Sequence, residues 1–313
     1  MIKKFKYEIM LIGCAVFWGL AFPVMKFVGE SIDSVSFLAI RFLLATAVLA
    51  IALGPKLKRI TKKMLLPSVG VGLILALHSY LQVEGLKYTS AANSGFITST
   101  NVIFVPLFMF LFFRKKPARH ILIGLAAIVA GFIFISGIVT VFPFAFNLTA
   151  FNFGDFLTLL CAIFTAIYMI VFNFLSAKYE EELVNFLHMG GACIGMWAIW
   201  LFIPNKAMDF SSVGAVIGTV YCGVFASAAA FLLLAKATAK LEASKVAILC
   251  SLEPIFATLF ALIFFGDSIT LTTAIGGILI LFGVLYSSIE RKIKNQGNDV
   301  CNDLSKEQQN AEI

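Results

Sequence analysis

The chain has 313 residues, of which 60% are hydrophobic and only 13% are charged, and its mean hydropathy is +0.97. Soluble domains contain about 25% charged residues, so this composition excludes a soluble globular protein and indicates an integral membrane protein. The net charge is +7, and the basic residues lie in short loops between apolar runs. They do not form the single basic face that nucleic-acid binding would need, and this distribution is the one that orients membrane proteins.

Long, unbroken apolar runs follow one another along the chain. A helical span needs about 20 apolar residues, whereas a transmembrane β-strand would show alternation over about 10 residues. The lysines before the first run resemble a signal peptide, but the run continues to Val28, so we expect an uncleaved first span. The sequence predicts ten spans, at 8–28, 36–53, 64–85, 91–113, 119–140, 154–174, 184–204, 213–235, 242–265 and 270–289.

Basic residues in the loops predict the orientation. With the N-terminus in the cytoplasm, 20 of the 24 Lys and Arg residues fall on the cytoplasmic side, which leaves only Lys26, Arg41, Lys87 and Lys206 at or near the outer ends. We therefore predict a multi-pass protein of the cytoplasmic (inner) membrane with both termini in the cytoplasm. The polar tail at 290–313 is predicted to be disordered.

A weak internal repeat relates the two halves at an offset of 152 residues, so that Ser99 aligns with Ser251 and Ile103 with Ile255. The copies are five spans apart, an odd number, so the second enters the membrane from the opposite side. The predicted fold is all-α, with ten transmembrane helices as two inverted five-helix repeats at 8–140 and 154–289. The outer segment 141–153, rich in Phe, is either an interfacial linker or a lid.

Five short segments resemble signatures of the drug/metabolite transporter superfamily, EamA type. They are residues 17–23 with Lys26, 37–42, 88–97, 154–157 and 252–257. The resemblance covers roughly residues 8–289 as two five-helix modules. It implies ten helices, cytoplasmic termini, a central cavity lined by spans 1, 3, 4, 6, 8 and 9, and export or exchange of small metabolites, but no single substrate.

Glu253 is the first candidate for a substrate site, because it lies at mid-depth in the predicted ninth span. An ionised side chain at the bilayer centre costs about 2.5–3.5 kcal/mol on insertion scales, so one that is retained usually faces a cavity. Pro254 frees a carbonyl of the preceding turn, and the carboxyl there could bind a proton, a cation or an amino group. The alternative is a neutral Glu253 that is hydrogen-bonded to a neighbouring helix.

Asn101 is the repeat partner of Glu253. Asn93, Ile97 and Asn101 are spaced at i, i+4 and i+8 and are expected to share one helical face, with Thr98 adjoining it. In an inverted repeat Asn101 and Glu253 would approach the pseudo-two-fold axis from opposite sides. For Asn101 and Thr98, a hydrogen bond between helices is the alternative role.

The third span carries two polar pairs. His78 and Gln82 share one face, and Tyr80 and Glu84 share another, so at least one pair is expected to line a cavity. His78 could relay protons or be a structural, hydrogen-bonded histidine. A wetted position at the membrane interface is the alternative for Glu84.

Aromatic and basic residues complete the predicted site. Trp18 and Tyr168 fall at comparable places in the two copies and could stack on a substrate, with Tyr221 as a weaker addition; a packing role is the alternative. Lys26 and Arg41 lie near the outer ends of their spans and could extend to the outer interface. Alternatively, each could gate the outer face through an ion pair with Glu30, Asp33 or Glu84.

The sequence contains no phosphate-binding loop, no nucleophile–base pair and no spacing typical of a metal site, and the six cysteines suggest neither zinc nor a disulfide framework. We therefore predict no enzyme, no metal and no cofactor. The predicted function is a secondary transporter that exports or exchanges a small metabolite, an amino acid or a similar amphipathic compound, by alternating access. Its partners would be this substrate and membrane lipid, not nucleic acid, and a homodimer stays open. A lipid-modifying membrane enzyme and a channel or sensor are the alternatives.

Overall fold

The computed structural model is helical over nearly all of the residues that it describes. These are 5–114, 119–140, 145–146, 151–202, 211–238, 240–241, 246, 249–266 and 269–287. The predicted tail at 290–313 and most of the segment 141–153 lie outside the described residues.

The first half contains α1 (Lys6–Val28), α2 (Ser34–Leu53), a 3₁₀ turn (Gly54–Arg59), α3 (Lys62–Leu86), α4 (Ala91–Ser99), α5 (Asn101–Phe113) and α6 (Arg119–Ile135). Two short antiparallel strands follow, β1 (Val139–Thr140) and β2 (Ala145–Phe146). The second half contains α7 (Phe153–Lys178), α8 (Glu181–Phe202), α9 (Val213–Gly223), a π-helical segment (Val224–Ala229), α10 (Ala230–Thr238), α11 (Glu253–Phe265) and α12 (Leu271–Ser287).

These helices form the ten predicted spans, with α4–α5 and α9–π–α10 each making one interrupted span. Seven spans are long and apolar enough to cross a membrane, and the apolar helices α6, α11 and α12 are shorter. The fifth span ends earlier than predicted, at Ile135 instead of residue 140. Gly137 adopts a φ of 73° there, a left-handed conformation that typically ends a helix.

Side-chain caps fix where several helices begin. The Asp33 carboxylate accepts the backbone N–H groups of Val35 and Ser36 at the start of α2. Ser90 caps α4, and Asn152 caps α7. Each cap satisfies backbone donors that have no partner within the first helical turn, so the caps define the ends of the short loops.

Basic and acidic side chains gather at one end of the bundle, which we call the basic end. A surface cavity of about 530 Å³ there is lined by residues from the start of α1, the turn after α2, the start of α8 and the end of α10, among them Lys6, Lys56, Glu181 and Lys236. Ion pairs join Lys56 to Glu182 at 2.5 Å and Arg59 to Glu180 at 3.1 Å. This shared end fits the alternation of span directions that the loop charges predict.

Candidate functional site

A central cavity of about 550 Å³ lies between the two halves of the chain. This volume is within the range of about 300–1,000 Å³ that is typical of small-molecule sites. The cavity shares Glu181 and Ala235 with the surface cavity at the basic end, so it extends toward that end. Eight of the predicted site residues line it: Trp18, Arg41, His78, Gln82, Thr98, Asn101, Tyr168 and Glu253.

Two spans are broken at repeat-related positions beside this cavity. Helix α5 begins at Asn101, after a break at Thr100, and α11 begins at Glu253, after a turn at Ser251 and Leu252. The second halves of these spans also end alike, since Arg114 and Gly266, again 152 residues apart, both adopt a left-handed φ. Each copy therefore presents the N-terminus of a half-helix to the cavity, which is a common arrangement at the binding sites of secondary transporters.

Local chemistry explains the first break. The hydroxyl groups of Ser99 and Thr100 donate at 2.7 Å to the carbonyl oxygens of Phe96 and Ile97, and these bonds compete with helix continuation. The continuous helical face that we expected for Asn93, Ile97 and Asn101 is therefore wrong. The predicted ninth span is likewise interrupted, by a turn at Ser251 and Leu252, so Glu253 stands in the first turn of α11 instead of in the middle of a continuous helix.

The Glu253 side chain lines the cavity and has no hydrogen-bond or ion-pair partner among the described residues. The alternative role for Glu253, a hydrogen bond to a neighbouring helix, is therefore not seen among the described residues. Its position in the first turn of α11 places the carboxyl at the positive end of the helix dipole, which stabilises a negative charge by about 0.3–1 kcal/mol. Gly19 of α1 packs here, and a methyl group on it would lie 2.5 Å from Cβ of Phe256.

Aromatic side chains from both copies form one wall of the cavity. The ring of Phe231 lies 5.3 Å from the ring of Trp18 and 6.4 Å from that of Tyr168, and Tyr168 stacks on Phe172 at 5.5 Å. Trp18 is held by its indole N–H, which donates to the carbonyl oxygen of Ala226 in the π-helical segment at 2.9 Å. This wall offers an apolar, flat surface to a bound molecule.

Two histidines beside Tyr168 differ in their hydrogen bonding. His188 is fully buried; its Nδ1 lies 3.1 Å from the carbonyl oxygen of Val184 and its Nε2 lies 3.3 Å from the hydroxyl of Tyr168. Because a carbonyl only accepts, Nδ1 of a neutral His188 carries the proton and Tyr168 donates to Nε2. His78 also packs on Tyr168, at 5.5 Å between rings, but both of its ring nitrogens are buried and have no hydrogen-bond partner in the described part of the chain.

Several cavity-lining polar atoms share this lack of partners. Besides the two His78 nitrogens, Oγ of Ser176 is such an atom. A buried polar atom without a hydrogen bond costs about 1–3 kcal/mol, so such atoms are uncommon in folded proteins unless a ligand or water satisfies them. They make this cavity suited to a molecule that carries hydrogen-bonding groups.

Of the residues considered for an outer gate, Glu84 is paired and Arg41 lies inside the cavity. Arg41 is buried and lines the cavity, with its guanidinium bonded to Ser227 and Met25. Glu84 pairs instead with Lys87 at 2.7 Å and accepts a hydrogen bond from Ser34 at 2.6 Å. Among the described residues neither Arg41 nor Lys26 forms an ion pair in this conformation, and their role in gating stays a prediction.

Three further predicted substrate-binding residues lie outside the lining of the cavity. The Asn93 amide donates to the carbonyl oxygen of Ile135 at 3.2 Å, and Tyr221 donates to that of Phe17 at 2.9 Å. Tyr80 packs against the apolar core instead. Lys26 and Glu84 also lie outside the lining.

Sequence reasoning missed Ser227 and Phe231, which line the cavity, and His188, which holds Tyr168. Ser227 lies in an alanine-rich π-helical segment, and no sequence pattern predicts a π-helix there. Such interruptions of α-helices are frequent at functional sites. Among the described residues, no group of three His, Cys, Asp or Glu side chains could hold a metal ion.

Comparisons with known proteins identify relatives of this architecture. The family model described as the EamA-like transporter family matches residues 5–137 and again 152–289. An uncharacterized transporter of Archaeoglobus fulgidus is 27% identical over 288 residues, which is 92% of this chain and 87% of the relative. The uncharacterized transporter YetK of Bacillus subtilis is 24% identical over 88% of this chain and 84% of its own length. The family and these relatives are named as transporters and not as enzymes.

A solved crystal structure shares the fold. It matches with a TM-score of 0.63 at 16% identity, over 90% of this chain and 96% of its own. At this level of identity the match speaks for the architecture alone.

Proposed function

The chain belongs to the EamA-like transporter family, and from this premise we propose that it is a secondary transporter that exports or exchanges a small amphipathic metabolite across the cytoplasmic membrane. An amino acid or a compound of similar size and polarity is the proposed cargo. The two repeats are proposed to be 8–140 and 154–289, with both termini in the cytoplasm.

The observation that carries this proposal is the central cavity between the halves, with half-helix breaks at Asn101 and Glu253. Its wall combines aromatic rings with a few polar atoms that have no hydrogen-bond partner among the described residues. An amphipathic molecule would place its apolar part on the rings and satisfy those polar atoms. A polyphosphate would find only one Lys or Arg side chain, that of Arg41, among the described lining residues.

Alternating access would follow from a change in the contacts between the halves. In the described conformation the cavity extends toward the basic end. Beside the cavity, α1 and α2 of the first half bond to the π-helical segment of the second half through Trp18–Ala226 and Arg41–Ser227. Opening toward the opposite end would require these contacts to separate. Closing the basic end would bring the two halves together around the ion pairs that already join Lys56 to Glu182 and Arg59 to Glu180.

Glu253 is the proposed site for the charge that is coupled to transport. Its carboxyl faces the cavity, without a partner among the described residues, at the N-terminus of a half-helix. It would bind a proton, a cation or an amino group of the cargo.

Two measurements test the function. An untargeted comparison of excreted metabolites between a deletion strain and an overexpressing strain identifies candidate cargo, and counterflow of the candidate in proteoliposomes tests direct transport. We expect trans-acceleration, in which unlabelled cargo inside speeds uptake of labelled cargo. A conductance far above the rates of a transport cycle, or an altered lipid composition with no change in metabolites, would contradict the proposal.

A further inference from the structure

Arg41 carries a buried positive charge for which the described part of the chain supplies no counter-charge. Its side chain is only 7% exposed and lines the central cavity. Nε donates to Oγ of Ser227 at 2.9 Å, and Nη1 lies 3.1 Å from the sulfur of Met25. A guanidinium has five N–H groups, so the other donors have no partner among the described residues. An isolated buried charge is costly, and buried charges are therefore normally paired.

None of the acidic side chains near Arg41 pairs with it among the described residues, although Oδ2 of Asp33 is buried without a hydrogen bond there and Glu253 lines the same cavity. The Asp33 carboxylate caps α2, and Glu84 binds Ser34 and Lys87. The ring of Phe42 lies 5.8 Å from the Arg41 guanidinium carbon. A cation–π contact of this kind contributes about 0.5–2 kcal/mol, which only partly offsets the cost of burying the cation.

We propose that Arg41 is the anion subsite of the cavity and binds a carboxylate of the cargo. This inference rests on the proposed transport function and adds which residue recognises the cargo, and through which group: Arg41, through a carboxylate. The planar guanidinium matches a carboxylate through two parallel hydrogen bonds, which a single ammonium group cannot reproduce.

The rest of the lining favours a monoanion. Arg41 is the only Lys or Arg that lines the cavity in the described part of the chain, and the Glu181 and Glu253 carboxyls line it too. A phosphate dianion would keep excess negative charge near these carboxyls, whereas one carboxylate is neutralised by one guanidinium. The aromatic rings would hold the apolar body of the same molecule.

Ser227 is the positioning residue of this subsite. Its hydroxyl accepts from Arg41 Nε and donates to the carbonyl oxygen of Cys222 at 2.8 Å, which fixes both of its roles. The π-helical segment of the second half thus orients an arginine of the first half. The subsite is therefore complete in the conformation described here, whose cavity extends toward the basic end.

The test compares two probes that share an apolar body and differ in charge. 3-Phenylpropanoate carries a carboxylate, and 2-phenylethylamine carries an ammonium group. Their affinities for the purified full chain are measured by ligand-induced thermal stabilisation, in wild type, Arg41→Gln and Arg41→Lys. Arg119→Gln is the matched control, because Arg119 is exposed at the start of α6 and lies outside the cavity. Sodium chloride tests for a site that accepts any anion.

We expect 3-phenylpropanoate to bind wild type and Arg119→Gln alike and Arg41→Gln at least about tenfold more weakly, with Arg41→Lys between them. Should Arg41→Gln fail to fold, Arg41→Lys decides by the same loss of affinity. The inference is overturned if 3-phenylpropanoate stabilises wild type no more than the amine does, if every Arg41 variant that folds binds it as wild type does, or if chloride replaces it equally well. Because binding is measured without transport, Arg41-dependent binding in a protein without counterflow would overturn the proposed function alone.

Discussion

A methyl group built on Gly131 would lie 2.6 Å from the carbonyl oxygen of Gly276, and one built on Gly276 would lie 2.6 Å from that of Gly131. Gly124 and Gly283 face each other with the same 2.6 Å distances. The repeat offset of 152 relates Gly124 to Gly276 and Gly131 to Gly283. Helices α6 and α12 therefore exchange equivalent contacts, as two copies related by a two-fold axis do.

Gly131→Ala and Gly276→Ala are expected to destabilise the protein by similar amounts. The obstacle to each new methyl group is backbone of the facing helix, which can move only if the two helices separate. Overpacking of this kind costs about 1–3 kcal/mol. The melting temperature of the purified protein in detergent measures the effect.

Gly70→Ala is the control for these variants, because no atom lies within 4 Å of a methyl group added there. It should keep or slightly raise the melting temperature, since Ala favours a helix more than Gly does. An unchanged melting temperature in both Gly131→Ala and Gly276→Ala would show that the close contact of α6 and α12 does not hold in the membrane protein.

The native thiol of Cys301 tests the predicted orientation. A membrane-impermeant maleimide should label it only after cells are permeabilised, because the loop charges place the tail in the cytoplasm. Cys301→Ser is the control, and the other five cysteines, which are buried or half-buried, should contribute little label. Lys87→Cys in the Cys301→Ser background should react in intact cells. Labelling of Cys301 without permeabilisation would invert the predicted topology.

Glu253→Gln is expected to lower transport in proteoliposomes at least about tenfold, because Gln keeps the size of the side chain but cannot ionise, and a hydrogen bond to a charged group contributes about 1.5–3 kcal/mol. The melting temperature should stay unchanged, since the carboxyl has no partner among the described residues that the substitution would break. The dependence of transport on pH should also flatten, because one ionisable group is removed.

Glu30→Gln is the matched control for Glu253→Gln, as Glu30 is exposed in the loop after α1 and lies outside the cavity. Its transport rate and pH dependence should equal those of wild type. If Glu253→Gln transported every identified cargo at the wild-type rate, Glu253 would not belong to the site.

The fold could be predicted because hydropathy, loop charge and the internal repeat can each be determined from the sequence alone. The number of spans and their order follow from local composition, and the family comparison and the helices confirm them. The repeat offset also placed Asn101 and Glu253 at matching positions before any geometry was available. The helix interruptions were not predicted, because they depend on local hydrogen bonds. An example is the break in the fourth span after Ser99, where hydroxyl groups bond to backbone carbonyls.

The surroundings of individual side chains were less predictable, because they depend on how helices cross. Arg41 lies close enough to the end of its span to reach water, yet Ser227, 186 residues away in sequence, holds it in the cavity. Asn93 shares the predicted face of Asn101 only if the helix between them is unbroken. Periodicity gives the face of a helix but does not say which neighbour that face meets.

His78 and His188 both pack against the ring of Tyr168. Replacing each with Leu should nevertheless change the stability of the protein in opposite directions. His188 bonds through both nitrogens, so His188→Leu leaves the Val184 carbonyl and the Tyr168 hydroxyl without that partner and should cost about 1–3 kcal/mol. His78→Leu removes two buried nitrogens for which the described residues supply no hydrogen bond, so it should keep or raise the melting temperature.

Transport separates the two histidines further. If the His78 nitrogens are satisfied by the cargo, His78→Leu should lower transport of the identified cargo while the protein remains at least as stable as wild type, a pattern typical of residues kept for function at a cost in stability. His188→Leu should lower the melting temperature first and transport only as far as Tyr168 is displaced from the wall. Melting curves and counterflow on the same preparations measure both effects. A melting temperature that falls as far in His78→Leu as in His188→Leu would mean that His78 has a structural partner in the folded protein, and it would withdraw this residue from the proposed site.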